Sequence, residues 1–144
     1  MHDYFAPHGE FKLHVSNNII IARLTGSWNK ECAENFSQAF IAQVKLLKIQ
    51  KWAHLVFLDD WQISVPEIVP VVDELAAFCI LNGLEKSAQV ANESMMKKMY
   101  LDKMAIETRS NFERRIFSDQ DKAISWLSEY GFTTTKGLKA YELV

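Results

Sequence analysis

The stretch that most constrains this chain is residues 53–68, AHLVFLDDWQISVPEI. It opens as an apolar run broken only by His54, meets two adjacent aspartates, and reaches Ser64 followed three residues later by Glu67, the spacing of a helix-capping box. A run so short and apolar reads as a buried strand that passes through a loop into a helix. In an open α/β sheet the loop beyond the carboxyl end of a strand is the ordinary place for a ligand or regulatory site, so Asp59 and Asp60 are the first candidates.

The flanking segments supply the rest of a small α/β fold. Phe11, Leu13 and Val15 alternate with Lys12 and His14 as a strand with one wet face. Ser16, Asn17 and Asn18 make a polar turn before residues 19–24, a second strand that opens with three isoleucines, and the close spacing predicts a hairpin. From about 29 to 50 the period changes: Cys32, Phe36, Phe40, Val44 and Leu47 mark one face of a long amphipathic helix that Asn29 or Ser27 can cap. Past the aspartates, Ser64 is the expected N-cap, Glu67 the third helical residue, and Ile63 and Ile68 a hydrophobic staple. Pro70 would then fall at the sixth helical position, so either the first turn is distorted or the regular helix begins nearer Pro70. Val71, Val72, Leu75, Ala76 and Cys79 give that helix its apolar face, and Asn82-Gly83 ends it.

A shorter, more polar strand is expected over 84–91, then a helix capped by Asn92 or Ser94 and carrying Met95, Met96, Met99, Met104 and Ala105. A strand over 111–117 follows. Ser118 with Asp121 opens the last helix, whose inward face is Ala123, Ile124, Leu127 and Tyr130, and Gly131 closes it. Residues 132–144 are left as a sixth strand, an arm laid across the domain, or a dimer contact. The order β-β-α-β-α-β-α-β-α predicts one α/β domain over residues 1–144, with its core at about 10–131 and a C-terminal arm at 132–144.

Charge and motif content exclude several classes. A net charge of −2 gives no global field toward nucleic acid or anionic lipid. No apolar run reaches the 18 residues of a membrane span, and no leader segment is visible, which makes the cytoplasm the expected location. Cys32 and Cys79 sit inside predicted helices as small hydrophobes, and His2, His8, His14 and His54 form no metal frame. No phosphate-binding glycine loop or nucleophile elbow is present. Asp59 or Asp60 could bind a divalent cation or accept a phosphoryl group, but neither has the extra carboxylates or the lysine at a later strand end that such chemistry needs, since Lys86 begins its strand. A polar loop, with Asp60 accepting backbone N–H bonds, is the simpler role. The chain is therefore expected to have no catalytic residues, metal or cofactor.

Two features point to partners. Six basic residues, Lys97, Lys98, Lys103, Arg109, Arg114 and Arg115, stand among the methionines against Asp102, Glu107 and Glu113, either as a solvated helix face over packed methionine or as an adaptable surface for an acidic partner or lipid headgroups. Trp28 and Trp61 each follow a strand, where with Met96 and Met99 they would line a pocket or an interface.

Four segments, NIIIARLTGSWN at 18–29, WAHLVFLDDWQISVPEI at 52–68, NGLEKSAQV at 82–90 and IFSDQDKAISWLSEYGF at 116–132, resemble the SpoIIAA-like, or STAS-like, superfamily of small bacterial α/β domains. The resemblance covers residues 10–131 and implies a mixed sheet of about five strands with four helices mainly on one side. It also implies regulation at the loop after the 53–58 strand, where anti-sigma factor antagonists carry a serine phosphorylated by a partner kinase. Here that arrangement is altered: Ile63-Ser64-Val65-Pro66-Glu67 lacks the aspartate before the serine and the glycine after it, so Ser64 is a positional match only. The expected function is a non-enzymatic regulatory module that binds another protein or a second copy through Asp59, Asp60, Trp61, Ser64 and Glu67. The alternative is a small apolar ligand or lipid carrier using Trp28, Trp61, Met96 and Met99.

Overall fold

A computed structural model of the protein describes residues 9–48, 50–62, 66–94, 107–109, 111–134 and 140–144. Its centre is a mixed sheet of seven strands: β1 (Glu10–Ser16), β2 (Ile19–Ser27), β3 (Trp52–Phe57), β4 (Trp61–Gln62), β5 (Leu84–Val90), β6 (Glu107–Arg109) and β7 (Phe112–Phe117). They lie in the order β1-β2-β3-β5-β7-β6, with β4 added to the end of β2. The two edge pairs, β1 with β2 and β6 with β7, are antiparallel, and everything between them is parallel.

The apolar pattern explains this placement. Ile19, Ile20 and Ile21 are all fully buried, with Ile20 toward one face and Ile19 and Ile21 toward the other, because β2 and β3 are covered on both sides. Asn17 turns the β1–β2 hairpin with φ +55°, a left-handed conformation that asparagine tolerates.

Helices α1 (Lys30–Leu46) and α2 (Ile68–Leu81) pack side by side on one face, and α3 (Gln120–Glu129) lies on the other. The β2-α1-β3 and β3-α2-β5 units both step the same way across the sheet, so their common handedness puts both helices on one face. Among the described residues no parallel strand follows α3 in the sheet, and its apolar side, Ala123, Trp126 and Leu127, covers Ala88 and Val90 from the opposite side.

Several expectations need correction. Among the described residues there are three α-helices rather than four, two on one face of the sheet and one on the other. The expected helix bearing Met95, Met96, Met99, Met104 and Ala105 falls on residues outside those described. The strand count rises from five to seven through β4 and β6, each too short for its periodicity to register. Glu67 is the N-cap residue of α2 rather than its third residue. Its backbone is already helical and its side chain makes no capping bond, while Ser64 lies outside the described residues. Starting at Ile68 puts Pro70 in the first turn, where a backbone N–H has no helical partner to lose. Asp119, not Ser118, caps α3 by accepting the Lys122 N–H at 2.9 Å.

The expected Asn29 cap of α1 is present, accepting the Cys32 N–H at 3.0 Å. In the described part of the last segment a 3₁₀ turn at Ala140–Leu143 lies against β2, and Val144 is buried in the apolar cluster that contains α3. Tyr141 packs 5.2 Å from the Phe57 ring, with the Arg23 guanidinium 5.0 Å from its own. Among the described residues no helix is long and apolar enough to cross a membrane.

Candidate functional site

Strand parity aims alternate side chains of β3, β5 and β7 at the α1–α2 face. On β3 these are Trp52, His54 and Val56; on β5 they include Ser87 and Gln89; on β7 they are Phe112, Arg114 and Ile116. Register then lines up His54 with Ser87 and Ser87 with Arg114, and Glu107 is the position opposite Arg114 on β6. A polar row thus crosses the sheet beneath the helices, with neighbouring strands about 4.8 Å apart.

That row floors one end of a cavity of about 90 Å³ between the sheet and the α1–α2 pair. From His54 a succession of aromatic rings leads away along its wall. Phe40 meets His54 at 4.9 Å, Phe36 meets Phe40 at 5.6 Å, Trp28 meets Phe36 at 5.2 Å, and Trp61 meets Trp28 at 5.6 Å, most of them edge to face. Leu75 and Cys79 of α2 close the opposite side. The cavity therefore has a polar end and an aromatic end.

Local folding fixes each of these groups. Trp28 donates its indole N–H to the carbonyls of Glu10 and Thr25 at 3.2 and 3.1 Å, and Gly9 lies so close that a Cβ there would collide with the indole. Trp61 is held by β4, whose parallel pairing sets it against Gly26 and so beside Trp28. His54 is clamped in the register between Ile20 and Ser87.

The electrostatics are unusual for a core. Burial pushes the His54 imidazole down to about 3, and the charge of Arg114 adds to the effect, so His54 is neutral at ordinary pH. His54 Nε2, Trp61 Nε1 and Gln89 Oε1 are buried and find no hydrogen-bond partner among the described residues. Each such atom costs about 1–3 kcal/mol relative to a satisfied one. Burial raises the Cys79 thiol to about 12 and the Cys32 thiol to about 11, which leaves both unreactive and consistent with core packing.

The residues expected from the sequence fare differently. Trp28 and Trp61 come together in the cavity wall, 1 % and 4 % exposed. Asp59 and Asp60 form an exposed two-residue turn between β3 and β4. The Asn92 side chain donates to the Asp59 carbonyl at 3.0 Å, and the Gly26 N–H donates to the Asp60 carbonyl at 2.9 Å, so backbone oxygens hold this turn. The Asp59 carboxyl is raised by partial burial, then by the Asp60 charge, against an opposing hydrogen bond from the Asn92 backbone. Glu67 is exposed at the start of α2. Ser64, Met96 and Met99 lie outside the described residues. Among the described residues no group of three or more His, Cys, Asp or Glu side chains is placed to hold a metal ion.

From the sequence, Ser87 and Gln89 drew no attention, His54 counted only as part of no metal frame, and Arg114 stood only in a basic surface. Their signal was parity: polar residues two apart in β5, aligned with a histidine inside an otherwise apolar strand. Without the register, nothing joined them.

No protein-family model matches the chain, and no curated protein matches it. Among solved structures it is similar to an uncharacterized protein of the DUF3478 family, with a SpoIIAA-like fold, from Shewanella loihica PV-4. That similarity has a TM-score of 0.60 at 12 % identity and covers 88 % of this chain and 99 % of the other. With the mixed sheet and its helix placement, this match shows that the chain has a SpoIIAA-like fold.

Proposed function

We propose that residues 1–144 form one SpoIIAA-like domain that works in the cytoplasm as a non-enzymatic binding module. Its ligand is a small, largely apolar molecule held in the cavity beneath α1 and α2. The observation that carries this reading is the set of buried polar atoms on His54, Trp61 and Gln89, which border an aromatic cavity and lack partners among the described residues. A core selected for stability alone would replace them with apolar atoms, whereas a binding site keeps a few placed polar groups in an apolar wall.

Native mass spectrometry of protein purified without denaturation, with NMR titration of the Trp61 indole N–H, tests this directly. A co-purifying small mass or a saturable indole shift is the expected result. A panel of small apolar and amphipathic compounds that moves no cavity resonance overturns it.

A second reading is recognition of another protein, or of a second copy, through Asp59, Asp60 and Glu67. Its support is the 59–60 turn, tied to Asn92 on one side and Gly26 on the other, in which both aspartates are exposed residues. Reversing both charges with Asp59→Lys and Asp60→Lys should weaken a partner recovered from native lysate at least ten-fold. Unchanged recovery rejects that surface.

A further inference from the structure

We propose that the cavity takes a small neutral alcohol, its hydroxyl bridging His54 and Gln89 and its alkyl end lying along Phe40 and Phe36. This rests on the ligand-binding reading above and adds the chemical class of the ligand.

Three features select that class. The first is the kind of polar atom left unmatched among the described residues. Gln89 Oε1 can only accept a hydrogen bond, whereas His54 Nε2 donates one when it carries the proton of the neutral imidazole. A ligand that serves both must donate to the one and accept from the other. A carboxylate or a ketone has no hydrogen to give Gln89, and an ammonium group has no lone pair for the imidazole N–H. Arg114, on the same row, already has a partner, so it offers an anion neither a spare charge nor a spare donor.

The second feature is placement. His54 aligns with Ser87 on β5, and Gln89 stands two residues beyond Ser87 on the same face. Ordinary strand spacing separates the two backbones by about 8 Å along that diagonal, a gap that two inward-leaning side chains and one oxygen can fill. A hydroxyl brings one donor hydrogen and an acceptor oxygen, which match the two side-chain atoms one for one. A primary amide brings two N–H donors and a carbonyl to the same pair, so part of its polar surface is left against apolar wall.

The third feature is size. A cavity of about 150 Å³ holds benzene, so about 90 Å³ scales to roughly three or four heavy atoms. Ethanol and propan-2-ol fall in that range. The Phe40 ring, 4.9 Å from that of His54, and the Phe36 ring 5.6 Å beyond it give the alkyl group an apolar wall beside the polar pair.

The test compares propan-2-ol with acetone and acetamide, which share its branched shape and number of heavy atoms, by NMR titration of the full chain. Molecules this small bind weakly, so the readout is the ratio of their dissociation constants. Propan-2-ol should bind at least about five-fold more tightly than acetone, which cannot donate to Gln89, and at least about two-fold more tightly than acetamide. Gln89→Leu keeps a similar volume and should bring propan-2-ol and acetone within about two-fold of each other. Its unfolding midpoint, at or above that of the parent, establishes that the loss is local; if the variant does not fold, the parent's preference decides. Equal affinity for propan-2-ol and acetone, or a preference for acetamide, overturns the alcohol assignment while leaving the binding reading intact. A preference that survives in Gln89→Leu overturns the bridge to that residue. If none of the three binds and ethanol also fails, ordered water alone satisfies His54 and Gln89, and both readings fall.

Discussion

The two faces of the sheet treat polar residues in opposite ways. On the α3 face, Glu113 accepts from Arg115 at 2.7 Å and pairs with Lys86 at 3.5 Å. Lys86 in turn stands 4.3 Å from the Tyr130 ring, and Arg115 stands 5.4 Å from that of Trp126. Charges there compensate one another at a rim, and the Trp126 indole nitrogen is the one buried polar atom left without a partner on that side among the described residues. On the α1–α2 face, polar atoms of His54, Trp61 and Gln89 that find no partner among the described residues belong to side chains bordering an internal space. The α3 face solves a packing problem, whereas the α1–α2 face leaves one unsolved in the way a binding site does.

The strongest challenge to that comparison is Trp28→Ala. It removes contacts with Phe11, Phe36 and Trp61 and two indole hydrogen bonds, and should cost about 3–5 kcal/mol in urea unfolding. Trp126→Ala should cost less, because its ring shares its contacts with side chains at a rim; the reverse ranking would break the distinction between the faces.

Acid should expose the same asymmetry. The folded His54 stays neutral down to about 3 while an unfolded imidazole takes up a proton near 6.5, so the unfolded state binds more protons in that window. Stability should therefore fall as pH drops below about 6.5, with a slope approaching about 1.4 kcal/mol per pH unit from this group. His54→Leu should flatten the decline, measured as denaturation midpoints between pH 4 and 8. A slope unchanged by the substitution would show that the imidazole is not buried as described.

Smaller effects should differ in sign between the faces. Gln89→Leu replaces an unmatched buried amide by a similar volume of apolar atoms and should stabilise the protein by about 1–2 kcal/mol while weakening ligand binding. Glu113→Gln breaks the Lys86 and Arg115 pairs and should destabilise it by about 1 kcal/mol, less in high salt. If both variants lose stability equally, the cavity groups are satisfied and the contrast fails.

Much of the fold was legible because periodicity reports burial directly. The alternation at Phe11, Leu13 and Val15, the triple isoleucine of β2 and the 3.6-residue spacing of Cys32, Phe36 and Phe40 each marked its element correctly. Helix starts were less legible: Ser118 and Asp119 are adjacent capping residues, and only the backbone bond to Lys122 selects between them. β4 was hidden because a two-residue strand has no period, yet it is what turns Trp61 inward. The candidate site was half visible. Trp28 and Trp61 stood out as large aromatics after strands, while Ser87 and Gln89 looked like ordinary polar residues in a weak strand.

By itself the sequence determined the five longer strands, the helices after β2 and β7, and that the 53–58 strand is buried and runs through a loop toward a helix. These are local properties, set by side-chain period and capping within a few residues. Only the tertiary structure decided that the 59–60 turn is pinned in solvent while His54, Ser87 and Arg114 share one row under α1 and α2. That row depends on the register between strands separated by some 30 residues of chain, which β-strand pairing and helix packing fix together and no local pattern encodes.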